Sequence, residues 1–242
     1  MTPRRHLAAA ALTCLLALTA CTTPADGTTD AAGSGPRRLT AEEADRLALA
    51  RFATYRRGTG NITVTIPTRG RTLHLSGRID WRRRTGYATL RTDDHPPTTQ
   101  LLRWNLTRLR THPATTGSLP EHPPADGWQE RPLERLSSTL DTVLLLLLNL
   151  SADRPDNAQL LTNSTARRLG EERIGTTPVT VVSGPAPAGR APNSPGNTRY
   201  WIDAKGNLLR FTARPGGETA WTTADLPQTP APPLPPDPTP SP

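Results

Sequence analysis

Cys21 is the residue whose type and surroundings point most directly to a chemical modification. It directly follows Leu18-Thr19-Ala20, and an apolar stretch over residues 7–18 and the pair Arg4-Arg5 precede it. A positive start, a short apolar segment and small residues at the junction are typical of a secretory signal peptide. The pattern therefore predicts an exported protein with residues 1–20 as its signal peptide.

The segment that ends at Cys21 resembles the bacterial lipobox, in which the cysteine sulfur receives a diacylglyceryl group and the cysteine becomes the new N-terminus. The resemblance implies a protein anchored to the extracytoplasmic face of the cell membrane through lipid on Cys21. An ordinary cleaved signal peptide and an uncleaved anchor remain open as alternatives. The apolar run of about 12 residues is short for an anchor, because a helix needs about 20 to cross a bilayer. Two acyl chains suffice for stable attachment, since each buried methylene contributes about 0.8 kcal/mol.

The histidines of the sequence lack the spacing of a metal-ligand set. Asp93-Asp94-His95 contains suitable ligand types, but no His-x-x-x-His or Cys-x-x-Cys motif accompanies it. We expect no metal and no cofactor. Four histidines lie outside the signal peptide. His74 is in a predicted strand, where alternation points it to solvent, and each of the other three stands beside a proline: His95, His112 and His122.

Catalytic motifs are absent from the sequence. There is no Gly-x-Ser-x-Gly elbow, no Ser-x-x-Lys and no P-loop. Asp80 and Asp203 are the nearest approach to paired carboxylates, but both lie at predicted turns, where aspartate is expected for local hydrogen bonds. The sequence therefore favours a protein that is not an enzyme.

Composition narrows the class of protein further. Only 34% of the 242 residues are hydrophobic and 27 are proline, which fits one domain with a small core. Cys14 lies in the signal peptide, so the mature domain carries no thiol besides Cys21. The formal net charge is +8, but the basic residues are scattered and aromatics make up 4%, so we expect no nucleic-acid partner.

Periodicity predicts the elements of one domain over residues 39–226, preceded by a flexible tether over 21–38. Thr40 and Glu43 form a capping box for a helix that ends near Gly58. Apolar residues then alternate from Asn61 to Thr92 in a three-strand meander, and a leucine-rich helix over Ser137–Leu150 should be buried because it is apolar all round. A second short helical piece, Asn157–Leu161, follows it. The other predicted strands are Gln100–Asn105, Arg108–His112, Ala166–Ile174, Val179–Ser183, Thr198–Ile202, Asn207–Arg214 and Glu218–Thr223.

These elements add up to an α+β domain with about ten antiparallel strands and two or three helices. Nine of the 16 residues over 227–242 are proline, which predicts a disordered tail of extended polyproline II character.

The element order resembles the LolA-like superfamily, which includes the LppX/LprG-type lipoproteins and the sensor domain of RseB/MucB-type proteins. The resemblance lies in Ala50–Tyr55 on the first helix, in Gly77–Trp81 at the end of a meander strand, and in the hairpin Tyr200–Leu209. It implies a curved antiparallel half-barrel wrapped around helices, with a hydrophobic cavity that holds acyl chains. The residues expected to line it are Leu144, Leu145, Leu147, Leu148, Trp104 and Trp201.

Two interpretations of the leucine run remain open, a cavity wall and a plain core, and consecutive leucines on a helix more often form plain core. The leading hypothesis for function is a non-enzymatic lipoprotein that binds or carries a lipid or acylated molecule. The alternative is a sensory or partner-binding envelope lipoprotein without bound lipid. An envelope hydrolase would require His95, His112 or His122 to meet Asp or Ser in one pocket.

Replacing Cys21 by serine tests the anchor. We expect Cys21→Ser to shift the protein from the membrane fraction to the soluble fraction, because serine lacks the sulfur that carries the lipid. Cys14→Ser is the control and should remain in the membrane. Retention of the Cys21→Ser protein would contradict the lipobox assignment.

Overall fold

Twelve antiparallel strands form one open, curved sheet in the described part of this computed structural model. The structure describes residues 35–114, 116–186, 196–215 and 218–236, so Cys21 and the signal peptide lie outside the described residues. The strands are β1 (Arg37–Arg38), β2 (Thr59–Thr68), β3 (Arg71–Asp80), β4 (Thr85–Thr92), β5 (Thr99–Trp104), β6 (Arg108–Pro113), β7 (Gln129–Pro132), β8 (Arg167–Ile174), β9 (Thr177–Ser183), β10 (Thr198–Ile202), β11 (Leu208–Ala213) and β12 (Thr222–Asp225).

The sheet order is β1-β8-β9-β10-β11-β12-β2-β3-β4-β5-β6-β7. The predicted meander is confirmed as β2, β3 and β4, and the pairing of β12 with β2 joins the two halves of the chain. The two strands that the sequence did not predict, β1 and β7, are the edges of the sheet. Arg37–Arg38, assigned from sequence to the tether, pair with β8, and β12 begins four residues later than expected.

Three helices in the described residues cover one face of the sheet, which we call the inner face. They are α1 (Ala41–Arg57), α2 (Thr139–Leu148) and α3 (Ala158–Thr162). The capping box at Thr40 is confirmed, since its hydroxyl accepts from the Glu43 amide and the Glu43 carboxylate accepts from the Thr40 amide. Ser138 is the N-cap of α2, where its hydroxyl accepts from the Asp141 amide.

Helix α2 lies across the inner face and fills the core beneath β2–β7. Val143, Leu144, Leu147 and Leu148 are almost fully buried. At its C-terminal end the indole of Trp81 donates to the Leu147 carbonyl at 3.0 Å. The burial predicted for this helix is therefore confirmed, and its polar ends are tied to the sheet.

At the other end of α2, the fully buried carboxylate of Asp141 is held by Arg131 of edge strand β7. Two guanidinium nitrogens of Arg131 bind the two carboxylate oxygens, one at 2.6 Å, and the Ser138 hydroxyl donates to the same carboxylate at 2.9 Å. Burial opposes the ionisation of Asp141, but these donors outweigh it and hold the pKa of the carboxyl below its usual value. The pair joins α2 to the last strand of the sheet.

We expect Asp141→Asn to lower the free energy of unfolding by about 2 kcal/mol at pH 7, because the buried amide cannot replace both charge-assisted hydrogen bonds from the half-exposed Arg131 guanidinium. A lowered folded-state pKa stabilises the protein above the unfolded pKa of about 3.9 and ceases to do so as pH falls through the folded value. The difference between the two proteins should therefore shrink below about pH 4 in urea unfolding curves.

Glu130→Gln is the matched control for this prediction. Glu130 neighbours Arg131 but lies on the opposite face, where it pairs with the exposed Arg108 and the partly buried Arg110. Such surface pairs contribute less than about 1 kcal/mol. Equal losses in the two variants would contradict the importance assigned to the buried pair.

Candidate functional site: an apolar pocket between the helices and the C-terminal strands

A pocket of about 240 Å³ opens where the three helices meet β10 and β11. Its walls come from all five elements because α1 and α3 cover the C-terminal strands while α2 covers the meander, and the seam between them stays unfilled. The lining residues are Leu47, Ala50, Arg51, Leu146, Asn149, Leu150, Asp156, Leu161, Pro185, Thr198, Tyr200 and Phe211.

Two aromatic rings form the sheet side of the pocket. Tyr200 on β10 and Phe211 on β11 are directly paired across the strands, with ring centroids 5.2 Å apart and a tilted geometry. Such tilted pairs add about 0.5–1.5 kcal/mol to the burial of their area. Burial raises the pKa of the Tyr200 hydroxyl, so this wall is neutral at physiological pH.

Arg51 and Asp156 place a charged pair at the pocket. The Arg51 Nη1 donates to Asp156 Oδ1 at 3.1 Å, and its other nitrogens donate to the carbonyls of Asn149 and Ser151. The backbone adds two bonds between α1 and the segment after α2, from Ala152 to Arg51 and from Asp156 to Ala48. Arg51 therefore fixes the segment that forms one side of the pocket.

The arrangement can bind an apolar group and orient a polar end toward a guanidinium. It contains no histidine, cysteine or serine, so it offers no nucleophile of those kinds. Its volume is below the roughly 300–1,000 Å³ of sites for drug-sized molecules. A single aliphatic chain, or the end of one, is the class of group that the pocket suits.

None of the six residues expected to line a cavity lines this pocket. Leu144, Leu147, Leu148 and Trp104 lie in the main core, and Leu145 packs partly buried against it. The core around the leucines is filled, since the side chains of Leu144 and Leu148 have no exposed surface. Trp104 lies against Gly86 and also borders a separate cavity of about 470 Å³, which Arg83 and Glu130 line as well. The leucine run therefore supplies core at those positions.

The strand geometry places Trp201 away from this pocket. Trp201 lies on the face opposite the helices, where it packs with Val179, Val181 and Leu209 in a separate cluster, and its indole donates to Glu172. Successive residues of a strand point to opposite faces, so its neighbour Tyr200 occupies the inner side.

Leu146, Tyr200 and Phe211 are pocket residues that the sequence analysis missed. Leu146 is the one member of the five-leucine run that was not proposed as lining. A signal for the two aromatics was present, because the hairpin through Asp203–Gly206 relates β10 to β11 and places Tyr200 and Phe211 on one face. The choice between that face and the one with Trp201 required knowledge of where the helices lie.

Of the residues with possible catalytic chemistry, His122 lines a cavity of about 760 Å³ together with Ser76, Ser118 and Glu121 on the face of the sheet without helices. The Ser118 hydroxyl there pairs with that of Thr116. His74, His95 and His122 are exposed and His112 is partly exposed, and the described residues contain no cluster of three or more His, Cys, Asp or Glu that could hold a metal. Asp80 accepts from the amides of Arg82 and Arg83, and Asp203 accepts from those of Lys205 and Asn207. Their predicted local roles in turns are confirmed.

Comparison with known proteins finds no family model and no curated protein that matches this chain. The resemblance to the LolA-like superfamily therefore stays a prediction. Among the described helices, none combines the length and the apolar character that crossing a bilayer requires.

We expect Arg51→Gln to lower the free energy of unfolding by about 2 kcal/mol, because the buried carbonyls of Asn149 and Ser151 lose charged donors. Asp156→Asn is the control, and its loss should stay below about 1 kcal/mol since the pair is one-third exposed. Denaturant unfolding measures both. Equal losses would show that the ion pair alone, and not the bonds to the carbonyls, fixes this side of the pocket.

Proposed function

We propose that this chain is a non-enzymatic lipoprotein, anchored through Cys21 to the extracytoplasmic face of the membrane, that binds one acyl chain in the pocket between the helices and β10–β11. The observation that carries the proposal is the pocket itself. It is apolar on its helix and sheet sides and has the Arg51–Asp156 pair at its polar side.

The shape of the sheet supports a half-barrel of the LolA-like kind as the finer description of the fold. An open antiparallel sheet that keeps its helices on one face has the architecture which that resemblance implies. The lipid anchor on Cys21 would hold the domain at the bilayer, next to the acyl chains that the pocket would bind.

The filled core limits the ligand to a single chain. Under the meander, the side chains of Trp81, Leu144 and Leu148 have no exposed surface, so these described residues leave no space for a ligand between them and α2. A group entering at Leu146 would extend between Leu47 of α1 and Phe211 of β11. Its carboxylate or headgroup would remain near Arg51, where a guanidinium can donate two hydrogen bonds.

Leu146→Trp tests the proposal, because the larger side chain would occupy the pocket. With a fluorescent long-chain fatty acid as the probe, we expect this substitution to weaken binding at least about tenfold, a loss of roughly 1.4 kcal/mol. Leu106→Trp is the matched control, since Leu106 is a half-exposed leucine in the turn between β5 and β6 and lies away from the pocket. Circular dichroism should show that both variants keep the fold.

Mass spectrometry of lipid extracted from the purified protein gives a second readout. A co-purifying acyl compound that is lost in Leu146→Trp and retained in Leu106→Trp would support the proposal. Protein that carries no lipid and does not bind the probe would overturn it and favour the sensory or partner-binding alternative.

A further inference from the structure

One row of side chains crosses six neighbouring strands on the outer face, the face without helices. Each member pairs in register with the next, from β2 to β7. The row has an amide at one end, an acid at the other, and a tyrosine among arginines between them. Its members are Asn61, Arg78, Tyr87, Arg103, Arg110 and Glu130.

The proline-rich segment after β12 crosses the sheet along this row. The Leu226 amide donates to the Leu209 carbonyl, and the side chain of Gln228 donates to the Leu208 carbonyl. The prolines that follow have no N–H with which to continue the ladder. Arg57 of α1, whose guanidinium lies 4.7 Å from the Trp81 ring, donates to the Pro227 carbonyl at 3.1 Å. The chain continues from the end of β12 onto the outer face, where it meets Arg78 of β3 and Arg103 of β5.

Two arginines of the row hold this segment by its backbone carbonyls. Arg78 on β3 donates to Pro232 at 3.4 Å and to Pro233 at 3.2 Å. Arg103 on β5 donates to Pro235 at 3.0 Å and to Pro236 at 3.1 Å. The Arg103 guanidinium also lies over the ring of Tyr87, 5.4 Å from its centroid, and Tyr87 is completely buried.

The spacing of these contacts matches the repeat of a polyproline II helix. That helix has three residues per turn and rises about 3.1 Å per residue, or about 9.3 Å per turn. Strands of a sheet lie about 4.8 Å apart, so β3 and β5 are separated by about 9.6 Å. The carbonyl pairs at 232–233 and 235–236 are one turn apart, and the two arginines are two strands apart. Successive turns of the segment therefore meet arginines on alternate strands.

These hydrogen bonds are made to backbone carbonyls of the segment and not to its side chains. A proline-rich chain is already extended before it binds, so ordering it costs little conformational entropy, and its carbonyls are free to accept because no N–H competes for them. Any segment with the same three-residue repeat would present carbonyls at the same positions. A cavity of about 760 Å³ lies beside residues 232–236, bounded by Leu119, Glu121 and His122 of the loop after β6 and by the sheet.

We propose that this row is a recognition site for a proline-rich segment of a partner protein, and that residues 232–236 of the chain occupy the site in cis. The partner segment binds in the polyproline II conformation, with successive turns on Arg78 and Arg103. The chain's own segment competes at a high effective concentration because it is covalently attached.

The test uses the full chain with a weakened tail. Replacing Pro232, Pro233, Pro235 and Pro236 by glycine keeps the length but removes the preformed conformation. A fluorescein-labelled peptide with the sequence of residues 229–238 is then titrated in a fluorescence anisotropy assay. We expect it to bind this variant at least about tenfold more tightly than the chain with its natural tail. The same peptide with its prolines replaced by glycine should not bind.

Arginine substitutions in the weakened-tail chain identify the site. Arg78→Gln and the double variant Arg78→Gln/Arg103→Gln should each weaken peptide binding, the double variant at least about tenfold. Arg78→Gln alone remains informative if the loss of Arg103 disturbs the packing of the Tyr87 ring. Arg91→Gln is the control, because Arg91 is an exposed outer-face arginine of β4 with a different place in the register.

Three results would overturn the proposal. The peptide could bind the weakened-tail chain no better than the natural chain, or the Arg78 and double variants could bind it as well as Arg91→Gln. The natural chain could also sediment as a dimer that dissociates on Arg78→Gln/Arg103→Gln. In that case the occupant would be the tail of a second copy and not a partner protein.

Discussion

The burial of α2 is the constraint on which the rest of the structure depends. Six of its ten residues are leucine and one is valine, so the helix has no face that can meet water without cost. The inner face of the meander covers it, and its few polar groups are satisfied at the ends, where Arg131 binds Asp141 and the Trp81 indole binds the Leu147 carbonyl. The edge strand β7 is therefore a structural necessity for this helix, because it carries Arg131.

The position of α2 also determines where a pocket can form. Because α2 fills the space under β2–β7, the C-terminal strands must be covered by α1 and the short α3. Two groups of helices that pack on different parts of one sheet leave a seam, and Leu146 and Tyr200 line it. Glu43 ties α1 to this half of the sheet, since its buried carboxylate binds Arg37 of β1 and Arg168 of β8. The protein has few apolar residues, and they fill the core under the meander but leave a pocket of about 240 Å³ at its margin.

The two faces of the sheet have different roles because residue alternation separates them. On the inner face the side chains of β2–β5 are apolar and pack on α2. On the outer face the row through Arg78 and Arg103 presents donors at intervals set by the strand spacing. A segment rich in proline cannot extend the sheet as a thirteenth strand, so it crosses the strands and satisfies its carbonyls with side chains. The sequence predicts a disordered tail over residues 227–242, and this stays a prediction. The structure shows in addition that residues 227–236 contact the sheet and α1 through backbone carbonyls.

Local patterns were sufficient to determine most elements of this protein. The cap at Thr40 and the aspartates of two turns could be predicted because each governs hydrogen bonds within a few residues. The meander could be predicted because apolar residues alternate from Asn61 to Thr92. The edge strands β1 and β7 were not predicted because they are only two and four residues long and mostly charged. Segments this short show no alternation of apolar and polar residues. Tertiary structure alone decided that Tyr200 and not Trp201 faces the helices, that Leu146 and not Leu147 meets the pocket, and that Arg78 and Arg103 fall one polyproline turn apart. Each of these outcomes depends on which distant elements pack together, and alternation along a strand or helix specifies the two sides without specifying what will cover them.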